Sequence, residues 1–337
     1  MKNGLKNGIK DIARITGYST STVARALSGS GYCDIEKKKK ILAVAKELNY
    51  QSNSSAIALR RGYTKRILFC IPDICNIFYF KMIQGVIEVL EANGYYAMLY
   101  TTEKSLKKEI DIIRTLEQKF CDGMIMVSFD FCEENISAIR ACGCPVVLTN
   151  KYDGQQKDDN FDYIFVDHTL GMALATEHLL AAGCKNMAVI SGDVKEQTTR
   201  ERLDGYLRTL EKHGLPYDAT RVLNGKYTNE GAYAAFSEFI QNGGTADGLI
   251  VSNDYAAMGI LRFCHEHGIR IPDDMKLISF DNTDYAVSSS PTLTSVDMRQ
   301  YEIGKYAAEI LLERLRGRTE TRNIVLEPTL VERQSGK

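Results

Sequence analysis

Residues 9–27 read IKDIARITGYSTSTVARAL, and this stretch decides how the first part of the 337-residue chain folds. Apolar residues recur at helical spacing on both sides of Gly17, namely Ile9, Ile12 and Ala13 before it and Val23, Ala26 and Leu27 after it. Gly17 ends the first helix, and Ser19 stands at the N-cap of the second. Two short helices joined by a turn that contains glycine are typical of a helix-turn-helix domain.

A third helix is expected to close this small domain. It is capped by Asp34, and its buried side is expected to consist of Ile41, Leu42, Ala45 and Leu48. The polar side of the second helix carries short hydroxyl side chains and an arginine, which are groups that bond to base edges and phosphates. The candidate DNA contacts are Ser19, Thr20, Ser21, Thr22 and Arg25. Because serine and threonine also cap helices, a purely structural role stays open for them.

The charge distribution separates this N-terminal part from the rest of the chain. Residues 1–66 contain 14 Lys and Arg against 4 Asp and Glu, whereas the remaining residues contain 28 against 39. A basic head on an acidic body is typical of a nucleic-acid-binding arm attached to a separate domain. A solvated basic surface has the same composition, so the charge supports DNA binding only together with the helical pattern.

From residue 66 onward, short β-rich runs alternate with helical segments. The β-rich runs are residues 66–72, 96–100, 123–127, 145–149, 187–191, 248–251 and 277–280. This alternation predicts parallel sheets with helices on both faces, and the number of strands favours two similar lobes. Ligands in such folds bind beyond the carboxyl ends of the strands.

Composition and cysteine usage exclude several protein classes. No apolar run approaches the roughly 20 residues of a membrane span, and residues 1–13 lack the hydrophobic stretch of a signal peptide. The nine cysteines include no CxxC motif, and the spacing of Cys142 and Cys144 suits neither zinc nor a redox pair. We therefore expect a reducing, cytoplasmic compartment, with no metal, cofactor or membrane partner.

Two patterns that suggest catalysis are weak. Ser105-x-x-Lys108 fits a motif of penicillin-recognising enzymes without its companion motifs. His265 and His267 are two residues apart, which places them on different sides of a helix and argues against a zinc-binding pair. The sequence therefore predicts that the protein is not an enzyme.

The head of the chain resembles the lactose/galactose-repressor-type (lacI family) transcription regulators. The resemblance is carried by residues 9–13, Gly17, 19–27, 47–50 and 53–60. It implies that Thr20, Ser21 and Arg25 are recognition-helix contacts. It also implies that residues 52–65 are a hinge and linker, in which Asn53, Leu59 and Arg60 contact DNA and Leu59 acts as an apolar wedge in the minor groove.

The body resembles the same family almost to its end. The matching segments are residues 72–79, 166–183, 253–259, 279–282 and 290–296. The implied fold is an N-terminal all-α helix-turn-helix domain (1–51), the hinge (52–65), and an α/β two-lobed periplasmic-binding-protein-like effector domain (66–337). Lobe 1 is expected at about 66–163 and 294–321, and lobe 2 at about 164–293 and 322–333.

The resemblance also implies an effector site in the cleft between the lobes. Arg202 and Asp281 are its principal contacts, Asn150 and Asn253 are further polar contacts, Tyr227 stacks on the effector, and Phe78 and Tyr79 line the other lobe. An arginine donor and a carboxylate acceptor suit the hydroxyls of a sugar. An aromatic ring stacks equally well on a purine, so a purine effector stays open.

Together these features predict a sequence-specific transcription regulator, and a repressor is the expected kind. It is expected to bind a palindromic operator as a homodimer, under allosteric control by a small effector, with a sugar favoured. We do not expect a leucine-rich tetramerising helix after residues 323–331, which favours the dimer. The alternative from another class is a transport-type sugar-binding protein, which shares the body but has no use for a basic head.

Overall fold

The computed structural model describes residues 8–28, 32–50, 62–128, 131–152, 154–156 and 159–337. The chain divides into two compact units, Met1–Thr64 and Lys65–Lys337. Each unit has its own buried core.

The first unit contains three helices, in agreement with the sequence prediction. They are α1 (Ile9–Thr16), α2 (Thr20–Ser28) and α3 (Ile35–Glu47). Gly17 ends α1 in the left-handed conformation (φ 76°), and Asp34 caps α3 by accepting the N–H of Lys37. The core consists of Ile12, Ala13, Val23, Ala26, Ile41 and Ala45. The expectation that Leu42 is buried was wrong, because its side chain is 45% exposed on the outer side of α3.

The second unit contains twelve strands and nine further α-helices among its described residues. The strands are β1 (Arg66–Ile71), β2 (Tyr96–Thr101), β3 (Gly123–Met126), β4 (Val146–Leu148), β5 (Phe161–Val166), β6 (Met187–Ser191), β7 (Val222–Asn224), β8 (Gly248–Val251), β9 (Lys276–Phe280), β10 (Thr294–Asp297), β11 (Asn323–Leu326) and β12 (Thr329–Val331). The helices are α4 (Phe78–Ala92), α5 (Leu106–Glu117), α6 (Glu133–Ala141), α7 (His168–Ala181), α8 (Gln197–Lys212), α9 (Asn229–Gln241), α10 (Asp254–Glu266), α11 (Asp284–Ser288) and α12 (Gln300–Leu315).

The strands form two six-stranded sheets, which confirms the two-lobed α/β prediction. Lobe 1 has the order β11-β5-β4-β3-β1-β2 and is parallel throughout. Lobe 2 has the order β12-β10-β9-β8-β6-β7, with only β12 antiparallel. Each sheet is covered on both faces. Helices α4 and α12 face α5 and α6 across the first sheet, and α7 and α8 face α9 and α10 across the second.

The chain crosses between the lobes three times, and the expected lobe boundaries need correction at each crossing. Residues 164–166 belong to β5 of lobe 1, residues 294–297 belong to β10 of lobe 2, and residues 323–326 belong to β11 of lobe 1. The reason is long-range strand pairing: Ser295 of β10 lies opposite Ser279 in register. The partner of a strand in such a pairing cannot be predicted from the sequence of that strand alone.

No helix in the described part of the chain has the length and apolar character to cross a membrane. All nine cysteines are free thiols, and five of them are buried.

Candidate functional site

A cleft of about 450 Å³ opens between the lobes, at the carboxyl ends of strands from both sheets. Residues that directly follow β4, β8 and β9 line it, as expected for a parallel α/β fold. All seven residues predicted for the effector site lie in this lining: Phe78, Tyr79, Asn150, Arg202, Tyr227, Asn253 and Asp281.

Asp281 places a buried carboxyl group in the cleft directly after β9. The residue is 7% exposed, and its backbone is in the left-handed region (φ 97°), as is that of Asn282 (φ 50°). Within the described residues, no hydrogen-bond donor reaches its carboxyl oxygens. Burial raises the pKa of Asp281 to about 8, with Asp254 and Asp297 adding to the rise and Arg202 opposing it. At neutral pH the carboxyl group is therefore largely protonated, and in that form it can both donate and accept a hydrogen bond from a ligand.

Arg202 extends from α8 into the same part of the cleft, and its guanidinium is fixed in position. Its Nη1 donates to the carbonyl oxygen of Ser252 at 2.6 Å, and the group lies 4.2 Å from the centre of the Phe280 ring. Its buried Nε has no hydrogen-bond partner within the described part of the chain. A guanidinium held in this way is preorganised to bind a ligand with little loss of side-chain entropy.

Tyr227 is held against the backbone of lobe 2 from several sides. Its hydroxyl lies 2.8 Å from Thr199 Oγ1, and its carbonyl oxygen accepts a hydrogen bond from Asn253 Nδ2 at 3.3 Å. The ring covers Gly192, where a Cβ atom would stand 1.9 Å from Tyr227 Cε2. Asn253 also caps α10 by accepting the N–H of Ala256 at 2.7 Å. Much of the hydrogen-bonding capacity of Asn253 thus serves to position this wall of the cleft.

Lobe 1 contributes Phe78 and Tyr79 from the first turn of α4. Their rings meet edge to face at 5.2 Å. Tyr79 is 2% exposed, and burial together with the nearby Asp281 raises the pKa of its hydroxyl. That hydroxyl bonds to none of the described residues, which leaves it available to a ligand. Asn150 follows β4, and its Oδ1 accepts the N–H of Lys151 at 2.9 Å.

Three further cleft residues were not predicted from the sequence. Ser252 Oγ and His168 Nδ1 are buried, and neither has a hydrogen-bond partner among the described residues. Burial and the charge of Arg202 hold the pKa of His168 well below its usual range, so the imidazole is neutral. Lys104 Nζ lies 6.0 Å from the centre of the Tyr227 ring. Ser252 directly follows β8, so the rule that ligands bind at strand ends would have found it.

The two lobes also touch through polar contacts beside the cleft. Lys104 of lobe 1 pairs with Glu196 of lobe 2 (Nζ to Oε1, 3.7 Å), and Lys81 on α4 donates to the carbonyl oxygen of Asn282 at 3.0 Å. The second contact falls next to Asp281.

On the first unit, the predicted recognition residues lie just before α2 and in its first two turns. Ser19, Thr20, Ser21 and Arg25 are exposed and Thr22 is half-buried. Ser19 Oγ accepts the N–H of Thr22 at 3.2 Å, so the capping role left open for it is present. Arg25 Nε donates to the carbonyl oxygen of Ser21 at 3.4 Å. The predicted contacts Asn53, Leu59 and Arg60 lie outside the described residues.

The patterns weighed for catalysis have structural roles. Ser105 caps α5, where its Oγ accepts the N–H of Lys108 at 3.4 Å. The ring of His267 stacks on Phe263 at 4.0 Å. In the described ranges, no three His, Cys, Asp or Glu side chains group in a way that would hold a metal ion.

In a comparison with known protein families, each of the two units matches a family model. Residues 8–53 match the model of bacterial regulatory proteins of the lacI family, and residues 176–336 match a periplasmic binding protein-like domain. The transcriptional repressor PurR of Photobacterium profundum is 30% identical over 331 residues, which cover 98% of each chain.

Solved structures agree over the whole chain. A complex of the transcriptional regulator CelR with cellobiose is 25% identical, covers 98% of this chain and 99% of its own, and has a TM-score of 0.75. The lac repressor dimer bound to operator and the anti-inducer ONPF has a TM-score of 0.88 with the same coverage, at 21% identity, and so shows the shared fold. A transport-type sugar-binding protein does not account for the match over residues 8–53. The chain therefore belongs to the lacI family of bacterial regulatory proteins, as a transcription regulator with a helix-turn-helix unit and an effector-binding body.

Proposed function

We propose that this protein is a repressor that binds a palindromic operator as a homodimer and whose operator affinity is set by a sugar in the interlobe cleft. The observation that carries the proposal is that Asp281 and Arg202 both line one cleft. A carboxyl group without a protein partner there accompanies a guanidinium already held in place.

A sugar suits the chemistry of this cleft. Its hydroxyls accept from Arg202 and Tyr79 and exchange hydrogen bonds with Asp281, while its ring C–H groups pack on Phe78 and Tyr227. The CelR–cellobiose complex supports the same ligand class, because that regulator covers nearly the whole chain at 25% identity. A purine would stack on the same rings and is the competing outcome of the experiment below.

DNA binding is proposed to involve α2. Thr20, Ser21 and Arg25 are exposed there, and in a helix-turn-helix the start of the second helix enters the major groove. Four consecutive exposed lysines, residues 37–40 on α3, add positive charge to the same unit. Such charge favours contact with phosphates and makes affinity depend on salt.

Dimerisation is supported by apolar side chains exposed on lobe 1. Phe80 and Ile87 lie two turns apart on α4, and their side chains are 54% and 36% exposed. Tyr96 and Leu99 on the edge strand β2 are 73% and 40% exposed. Large apolar side chains exposed in this way are found at protein–protein contacts, and a two-fold dimer matches a palindromic site.

The effector can control operator binding only if it binds two arrangements of the dimer with different affinities. The sugar shifts the population towards the arrangement that it binds more tightly, and typical coupling amounts to about 1–3 kcal/mol. Operator must then alter sugar affinity by the same factor as sugar alters operator affinity.

The ligand side is tested by thermal shift with a panel of sugars and nucleobases, because a ligand that binds the native state raises the melting temperature. We expect sugars to raise it and Asp281→Ala to abolish that rise while operator binding persists. A rise in melting temperature with nucleobases alone would mean that the effector is a purine and not a sugar. Loss of both ligand and operator binding in Asp281→Ala would make Asp281 a structural residue.

The DNA side is tested by selecting bound sequences from random DNA and measuring their affinity. We expect Arg25→Ala to weaken binding to the selected DNA sequence by about 1–3 kcal/mol, the usual range for one base contact. The sugar response should stay unchanged. Arg14→Ala is the matched control, since Arg14 is an exposed arginine on α1 of the same unit. Failure of the wild type to prefer any sequence, with or without ligands, would overturn the proposal.

A further inference from the structure

Asp254, the first residue of α10, is the most densely hydrogen-bonded buried carboxylate beside the cleft among the described residues. It is 1% exposed and does not line the cleft. One carboxylate oxygen accepts from Ser279 Oγ (2.5 Å) and Ser295 Oγ (2.8 Å), and the other accepts from the N–H (2.6 Å) and Oγ1 (2.9 Å) of Thr283. All four donors are neutral.

These donors enclose Asp281 on both sides. Ser279 precedes it by two residues, Thr283 follows it by two, and Ser295 Oγ also accepts the N–H of Asn282 at 3.0 Å. Asp281 itself donates its N–H to the carbonyl oxygen of Val296 at 2.8 Å. Asp254 thus fixes the backbone on each side of the residue that we propose to bind the effector.

The enclosed backbone is one that needs external support. Asp281 and Asn282 are consecutive residues with positive φ, a conformation that is strained for a residue other than glycine. Strained residues persist only where the surroundings determine their geometry. The four bonds to Asp254 and the bond from Asn282 to Ser295 provide such surroundings.

We propose that Asp254 is a positioning residue for the effector site: it holds residues 281–283 so that the Asp281 carboxyl group points into the cleft. The inference rests on the proposed function of that cleft. A carboxylate is needed because four donors converge on its two oxygens. The amide of asparagine would face one pair of these donors with N–H groups. Either the Thr283 N–H would then lose its acceptor, or both serine hydroxyls would have to rotate and accept instead of donate.

The same loop receives a contact from lobe 1. Lys81 on α4 donates to the carbonyl oxygen of Asn282, and its neighbour Phe80 is one of the exposed apolar residues proposed for the dimer contact. A displacement of residues 281–283 would therefore disturb the hydrogen bond from Lys81 on α4 as well as the binding of a ligand by Asp281.

The test uses hydrogen exchange of the full-length protein without ligand. In Asp254→Asn we expect the amides of Asn282 and Thr283 to exchange roughly tenfold faster or more, because their hydrogen bonds are lost or weakened. Amides in the centre of β9, such as that of Ile278, should keep their protection. Asp247→Asn is the matched control. That carboxylate also accepts backbone N–H groups, from Lys185 and Asn186, in a different loop of lobe 2.

Two results would overturn the inference. One is unchanged exchange at Asn282 and Thr283. The other is a uniform loss of protection over β8, β9 and β10, which would mean that Asp254 supports the lobe as a whole. If Asp254→Asn does not fold, Ser295→Ala provides the decision. It removes one partner of Asp254 but not the acceptor of the Thr283 N–H, so faster exchange of Thr283 with Ile278 unchanged supports the inference, and unchanged exchange of Thr283 overturns it.

A ligand arm separates this inference from the proposed function. Cellobiose, lactose and D-ribose serve as probes, and Asp254→Asn should weaken roughly tenfold whichever of them the wild type binds, while Asp247→Asn should not. If Asp281→Ala leaves every sugar response intact, the proposed function fails, and the exchange results still decide whether Asp254 positions the loop.

Discussion

Asp281 has a buried carboxyl group and a left-handed backbone conformation, and its carboxyl oxygens accept no hydrogen bond from the described residues. In the unfolded chain its pKa returns to about 3.9, whereas burial in the folded protein raises it to about 8. Between these values the folded state holds a proton that the unfolded state has lost. The contribution of this group to stability is therefore complete below pH 4 and is lost as the pH rises towards 8.

We expect the difference in free energy of unfolding between wild type and Asp281→Asn to change with pH. Wild type should lose stability relative to the variant from about pH 5 to pH 8, by at most about 1.4 kcal/mol per pH unit. Urea denaturation at pH 5, 6, 7 and 8 measures this, and groups common to both proteins cancel. If the free energies of unfolding of the two proteins change with pH in parallel, Arg202 offsets the effects of burial, Asp254 and Asp297 on the pKa of Asp281.

Single residues also show what sequence does and does not reveal about the site. Arg202 and Asp281 are 79 positions apart, yet both were predicted because they stand in recognisable segments. Asp254 was not predicted as a support for Asp281, although it adjoins Asn253. Its partners Ser279 and Ser295 lie on two different strands, β9 and β10, and only the strand register brings their hydroxyls together. Hydrogen bonds of this kind depend on long-range pairing.

Among the elements, helices α4 and α12 cross with their backbones in contact, and glycine permits this. A Cβ atom on Gly85 would stand 2.3 Å from the carbonyl oxygen of Tyr301, and one on Gly304 would stand 2.1 Å from that of Met82. Both obstacles are backbone atoms of the facing helix. No side-chain movement can therefore make room for a Cβ atom at either glycine.

We expect Gly304→Ala to destabilise the body by roughly 1–3 kcal/mol, the usual cost of overpacking, although alanine is the better helix former. Gly171→Ala in α7 is the matched control. Gly171 is also buried within a helix, but the nearest atoms to its Cβ position lie at 3.4 Å, an ordinary contact. Thermal unfolding compares the two variants, and equal melting temperatures would contradict close packing at Gly304.

The elements that sequence predicted well are those with local signals. Apolar runs such as residues 66–72 and 187–191 became the buried strands β1 and β6. Strand β10 was treated only as part of the return to lobe 1, because its sequence TSVD is short and largely polar. It is a strand because β9 and β12 pair with it on either side.

For the effector-binding body as a whole, function depends on how firmly the two lobes hold the cleft. Three chain crossings connect them, and polar contacts that include Lys104–Glu196, Lys81–Asn282 and Gln300–Asp281 join the lobes beside the cleft. Lys104 and Glu196 retain 49% and 21% side-chain exposure, so water and salt weaken their attraction. An exposed pair of this kind contributes about 0.2–1 kcal/mol.

We expect Lys104→Met and Glu196→Gln each to weaken sugar binding by about 1.4- to 5-fold, the equivalent of that energy, and the double variant to lose little more than either one. Sugar affinity measured at low and high ionic strength tests this, because the wild-type advantage should shrink in salt. The exposed pair Arg208–Asp204 lies within α8 of lobe 2, so Arg208→Met serves as the control and should leave sugar affinity unchanged. If the two losses add fully in the double variant, the residues act separately on the ligand. Closure of the cleft would then depend on the ligand and the chain crossings, without a contribution from this ion pair.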